Sequence, residues 1–188
     1  MKKLVLIIFI ISVIAPRIVA QKYTLSSKES KLEVLGTSTL HDWEEVAEEM
    51  TGDAVINLDN EQMVIESLKF KVPVKALKSD HGAMDKNTYE ALKSSKHPNI
   101  YFELKEVMSI EKKGQEFTLK TSGNLTIAGV TKNIEMTVSS RPIGNTISFS
   151  GKIDFKMTDF KVDPPTALLG TVKTGDDITI QFNVKYNK

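Results

Sequence analysis

The run Ser38-Thr39-Leu40-His41-Asp42-Trp43 places an imidazole, a carboxylate and an indole at consecutive positions. An exported hydrolase or isomerase could use such a His and Asp as a base and its orienting acid, provided both reach the same proton. Neighbours on a strand point to opposite faces, so His41 and Asp42 do not make a ready pair. No serine in a nucleophile-elbow setting accompanies them. Two readings of the run stay open. In one, His41 and Asp42 meet a polar head group at the mouth of a cavity while Trp43 packs on an apolar chain. In the other, the run is a tight turn between strands, with Trp43 in the core.

The other groups that could ligate a metal are Asp80, His81 and Asp85, but no HxxxH or HExxH spacing joins them and the chain has three histidines in all. His97, directly before Pro98, reads as the entry to a strand. Cysteine is absent, which excludes thiol catalysis, thiolate metal sites, disulfides and a lipid-bearing N-terminal cysteine. The expectation is a chain with no metal, no cofactor and no catalytic role.

The first residues set the compartment. Lys2 and Lys3 precede an apolar run from Leu4 to Ile14, and hydrophobicity stops between Ala20 and Gln21. About a dozen apolar residues make a secretory signal better than a membrane span. Residues 1–20 are therefore expected to be a signal peptide, and 21–188 a single periplasmic or secreted domain. Cleavage after Ala20 removes Lys2, Lys3 and Arg17, taking the formal charge from +1 to −2. No basic stripe remains to neutralise phosphates, so nucleic acid is not an expected partner.

Period-two alternation dominates the rest, the mark of strands with one buried face. Ile147, Phe149, Gly151, Ile153, Phe155 and Met157 alternate with Ser148, Ser150, Lys152, Asp154 and Lys156. Similar rows run through Leu68, Phe70, Val72 and Val74, through Ile100, Phe102 and Leu104, through Phe117 and Leu119, through Ile134, Met136 and Val138, and through Ile178 to Tyr186. Turn signals are Thr51-Gly52-Asp53, Asp59-Asn60, Lys113-Gly114, Ala128-Gly129, Ile143-Gly144-Asn145 and Thr174-Gly175-Asp176-Asp177. Roughly eight to ten antiparallel strands follow, with no internal repeat.

Between Ser79 and Pro98 the alternation stops. Met84, Tyr89 and Leu92 fall at helical spacing, with Asp85 as N-cap and a weak Glu90–Lys93 pair. This predicts a short helix across one end of the sheet, its apolar side forming either a lid or a plug. The segment Pro164-Pro165-Thr166-Ala167-Leu168-Leu169-Gly170 reads as an apolar loop. Many alternating strands either stack as a sandwich with a filled middle or close into a barrel, which at about eight strands can hold one small ligand. Periodicity alone does not choose between a carrier and a packed sandwich that serves as an interaction module.

Several strings, in order along the chain, resemble the YceI-like family of lipid- and polyisoprenoid-binding proteins. They are Ser38 to Trp43, Met84-Asp85-Lys86 with Ala91-Leu92-Lys93, His97-Pro98-Asn99-Ile100-Tyr101-Phe102, Gly123 to Lys132, and Thr158-Asp159-Phe160 with Gly175 to Ile180. The resemblance implies an all-β fold, an extended lipocalin-like antiparallel barrel of about eight strands with a short helical insertion. It implies an apolar cavity holding a long-chain lipid or isoprenoid. The residues expected to line that site are His41, Trp43, Phe70, Met84, Tyr89, Leu92, Phe102, Leu104, Leu119, Met136, Phe149, Phe155, Leu168 and Phe182. Transient membrane contact and a homodimer are compatible with such a carrier.

Overall fold

The computed structural model describes residues 20–59, 62–167 and 170–188. Residues 1–19 of the expected leader, the turn residue Asn60 and the expected site residue Leu168 lie outside the described residues.

Twelve described strands and one helix follow in chain order: β1 (Gln21–Leu25), β2 (Lys31–Ser38), β3 (Trp43–Ala47), β4 (Thr51–Leu58), β5 (Met63–Pro73), β6 (Leu77–Lys78), α1 (Gly82–Ala91), β7 (Asn99–Lys113), β8 (Glu116–Ile127), β9 (Val130–Ile143), β10 (Thr146–Lys156), β11 (Thr166–Ala167) and β12 (Val172–Asn187). Eight of them pair in the order β1-β4-β5-β7-β8-β9-β10-β12, all antiparallel. The ring closes where β12 returns to β1 through Thr24↔Asn187 and Leu25↔Tyr186. The sheet is thus a closed eight-stranded barrel, and the sandwich alternative falls. Further along the same edge β12 takes β2, and β3 and β6 continue from there.

Alternation places the side chains. Along β8, Phe117, Leu119, Thr121, Gly123, Leu125 and Ile127 are buried, while Glu116, Thr118 and Lys120 between them are exposed. At the end holding the β7–β8 and β9–β10 hairpins the interior is solid. Tyr23, Ile56, Met63, Phe117, Ile147 and Tyr186 interlock there, and Phe149 meets Tyr186 edge-on at 5.8 Å. The opposite end carries α1 and a 3-10 turn (Met157–Phe160), where Phe160 meets Phe155 at 5.0 Å.

Hairpin tips at Gly114, Gly129 and Gly144 have φ of +63°, +80° and +59°, as three of the expected turns require. Two other expected turns are strand. Thr51-Gly52-Asp53 lies within β4, where Gly52 leaves room for the Tyr186 hydroxyl. Thr174-Gly175-Asp176-Asp177 lies within β12, where the register against β2 shifts between Thr174 and Ile178. A glycine signals close approach or a bulge as readily as a turn. Val74, expected at the end of a strand row, belongs to a 3-10 turn after Pro73.

The helix also starts earlier than expected. His81 precedes its first residue, and Asp85 is the fourth residue of α1 and not its N-cap. The Asp85 carboxylate instead reaches back to accept the Ser79 N–H and Oγ–H, each at 2.8 Å. The Glu90–Lys93 pairing does not form, because Lys93 has left the helix at φ +54°; Lys86 faces Glu90 at 3.9 Å.

One wall is incomplete. β5 and β7 pair only from Lys69↔Glu103 to Pro73↔Asn99, and beyond that the strands part. Ile110 of β7 lies opposite Leu119 and so faces inward, yet it is 37% exposed while Leu119 is 1% exposed.

Candidate functional site

The inward rows do not all meet in the middle. Below the solid end, the barrel encloses a chamber with about 1030 Å³ of atom-free space, its opening to solvent included. Its walls come from six of the eight ring strands and from β2 and β6, and apart from Thr121 and Tyr186 the described lining side chains are hydrocarbon or thioether. Both polar groups are committed to backbone carbonyls, Thr121 Oγ1 donating to Met136 O and Tyr186 Oη to Lys69 O, each at 3.3 Å. A second chamber, about 820 Å³ by the same measure, lies beneath α1 and the 3-10 turn. The two adjoin through Val34, Leu77, Ile100 and Ile180, which line both.

Large aromatics leave this space open because three of them lie over strand glycines. A Cβ added to Gly36 would stand 2.2 Å from the Trp43 ring, one on Gly123 would stand 2.4 Å from Phe102, and one on Gly151 would stand 2.8 Å from Phe182. Real Cβ atoms do not approach so closely, so each ring occupies volume that any other residue would claim. All three rings line a chamber. Pressed onto the wall, they surround the cavity without crossing it.

The expected site residues divide clearly. Phe70, Phe102, Leu104, Leu119, Met136, Phe149 and Phe182 line the first chamber. Trp43, Met84, Leu92 and Phe155 line the second. Two do not line either. His41 sits exposed in a turn where Ser38 Oγ–H donates to His41 O at 2.7 Å, and its Nδ1 contacts Asp42 O at 2.6 Å. Tyr89 turns away from the cavity because its hydroxyl bonds to the carbonyls of Lys75 at 3.0 Å and Leu77 at 2.9 Å. At His41 the run is therefore the tight turn between strands, while Trp43 faces the second chamber, its Nε1–H donating to Thr37 O at 2.9 Å. Asp42 faces a third, open groove outside the barrel, which shares Trp43, Phe155 and Ile178 with the second chamber. Among the described residues, no three His, Cys, Asp or Glu side chains gather as metal ligands.

Glu45 was not anticipated. It is 2% exposed and lines the second chamber, where its Oε1 accepts the Thr88 hydroxyl of α1 at 2.5 Å. Burial pushes its carboxyl up to about 7, with the nearby Asp85 adding to the rise and the Thr88 bond and Lys78 opposing it. The signal was present in the sequence: period two from Trp43 to Ala47 puts Glu45 on their face. Asp85, 7% exposed, behaves oppositely. Burial alone would raise its carboxyl, but the bonds from Ser79 and the Lys78 ammonium at 3.3 Å outweigh burial and hold it below the usual range.

The YceI-like domain family matches residues 23–186 of the chain. Among solved structures, BcnA of Burkholderia cenocepacia superposes with a TM-score of 0.66 at 16% identity, covering 86% of this chain and 98% of that one. A polyisoprenoid binding domain from Saccharophagus degradans, implicated in plant cell wall breakdown, gives 0.69 at 10% identity, covering 88% and 97%. A Campylobacter jejuni YceI protein gives 0.57 at 26% identity, covering 73% and 81%. No functionally curated protein is similar enough to match.

Proposed function

This chain belongs to the YceI-like domain family, and on that premise we propose that it is an exported carrier that holds a long-chain amphiphile, isoprenoid or fatty-acid-like, in its two-chamber cavity. The observation that carries this reading is the first chamber, whose described lining is apolar apart from two hydroxyls already bonded to backbone carbonyls. Such a space recognises hydrocarbon by removing it from water, at about 0.8 kcal/mol per buried CH₂. Affinity then grows with chain length, and polar contacts set orientation and selectivity. The fold shared with the Saccharophagus polyisoprenoid binding domain supports an isoprenoid as one form of that chain.

No covalent step belongs to this function. His41 and Asp42, the one pair the sequence offered for catalysis, lie on the outside in a turn. Export rests on the leader pattern of residues 1–20. Native mass spectrometry of freshly purified protein tests the proposal. The expected result is a retained lipid, or uptake of a fluorescent prenyl or fatty-acyl probe by the delipidated protein. A clean apo mass with no uptake of either probe overturns it.

A further inference from the structure

The two chambers differ in what they can offer a ligand. The first has no described polar side chain left uncommitted to backbone. The second presents Glu45, Asn87, Thr88 and Thr174 among its lining. A ligand whose tail fills the first chamber and which passes Val34, Leu77, Ile100 and Ile180 would bring its head among these groups. No lysine, arginine or histidine is among the described residues lining either chamber. The nearby ammonium, Lys78, is held by Asp85 at 3.3 Å and stands over the Tyr89 ring at 5.2 Å. The outer groove that continues the second chamber adds Asp42, Glu44, Asp154 and Asp177, again with no basic side chain among its described lining residues.

Resting on the carrier reading above, we infer that the second chamber is a head-group subsite in which the Glu45 carboxyl, fixed by Thr88, receives an uncharged hydroxyl-bearing head and excludes anionic ones. A buried phosphate or carboxylate without a cation loses its hydration and gains no partner, a cost far larger than that of a neutral O–H that finds an acceptor. A carboxyl near neutrality suits this task, because it accepts a hydrogen bond when ionised and can also donate one when protonated. Glu45 is thus a specificity-determining residue, and Thr88 its positioning partner.

The test compares three C20 probes on delipidated protein at pH 6: geranylgeraniol, geranylgeranyl phosphate and the parent hydrocarbon, read by quenching of Trp43 or by native mass spectrometry. The wild type is expected to bind the alcohol at least tenfold more tightly than the phosphate. Glu45→Leu is expected to bring the alcohol down to the level of the hydrocarbon, so that the alcohol-to-hydrocarbon ratio falls to about one. Glu45→Gln, which keeps a neutral polar group, is expected to retain the alcohol within about threefold, and it stands in should the leucine variant fail to fold. Phosphate binding as tight as alcohol binding overturns the inference. So does an unchanged alcohol-to-hydrocarbon ratio in Glu45→Leu, with a loss of more than tenfold in Glu45→Gln as the deciding result if only that variant folds. In each case the carrier reading survives if the hydrocarbon still binds. Failure of all three probes removes both.

Discussion

Trp43 lies over Gly36, its direct partner across the β2–β3 ladder, so closely that a Cβ on Gly36 would stand 2.2 Å from ring carbon Cζ2. The glycine defines where the indole rests, and the indole in turn forms wall for the second chamber. Its Nε1–H bond to Thr37 O fixes the ring at the other side. The outcome is an aromatic that bounds the cavity without filling it.

Gly36→Ala should therefore force Trp43 inward. Overpacking of this kind costs about 1–3 kcal/mol. Trp43 is the chain's single tryptophan, so its emission reports the movement directly. The expected result is a shifted emission maximum, a lower melting temperature and weaker probe uptake. An unaltered spectrum and melt would show that the ring is not seated on the glycine.

Filling and emptying the interior should have opposite consequences at its two levels. Met136→Trp adds bulk where the first chamber has room, so stability should change by less than about 1.5 kcal/mol while lipid uptake falls at least tenfold. Phe149→Ala removes a ring that is 4% exposed and packed against Tyr186, which should cost about 3–5 kcal/mol. Denaturant melts and a probe titration on both variants check this. Met136→Trp with full uptake would mean the chain lies elsewhere.

Glu45 should make the protein less stable as pH rises through neutrality. Its folded-state carboxyl titrates near 7 against an ordinary 4.5, so the folded protein holds a proton that the unfolded chain has released. Stability from this group is complete below about pH 4.5 and is lost as pH climbs through 7. At about 1.4 kcal/mol per pH unit the loss is on the order of 3 kcal/mol. Asp85 and Lys78 face the same carboxyl and act in opposite senses. Unfolding curves between pH 5 and 8 should show the decline in wild type and a flatter profile in Glu45→Gln. Identical slopes in the two proteins would refute the assignment.

Asp85 ties the start of α1 to the strand before it. Asp85→Ala leaves the Ser79 N–H without its acceptor, a loss of about 1–3 kcal/mol. Hydrogen exchange should speed up at Ser79 and through α1, with the barrel amides unaffected. Because the folded-state carboxyl lies below its usual range, acid should bring the wild type toward the variant as pH falls through that lowered value, while neutral conditions keep them apart. Equal exchange rates at pH 7 would rule this tie out.

Much of the fold was legible in the sequence because strand burial has a period of two. The rows through Phe70, Phe102, Leu119, Met136, Phe149 and Phe182 follow from which residues alternate with charge, and all six face one interior. The same period puts Glu45 on the face of Trp43 and Ala47, but the carboxylates around it at Glu44 and Glu48 hid the signal. His41 and Tyr89 were harder, since their chemistry suggested a ligand and only local bonds, to a neighbouring carbonyl and to two strand carbonyls, turn them elsewhere.

Alternation by itself determined that this chain makes antiparallel sheet with one greasy face and that its reactive residues are few. Whether that face closes on emptiness or on itself was decided only in three dimensions. Closure depends on β12 meeting β1 across more than 160 residues, and openness depends on rings finding glycines on a neighbouring strand, as Phe182 finds Gly151. Both are matches between distant positions, and a one-dimensional pattern carries no record of which strands become neighbours.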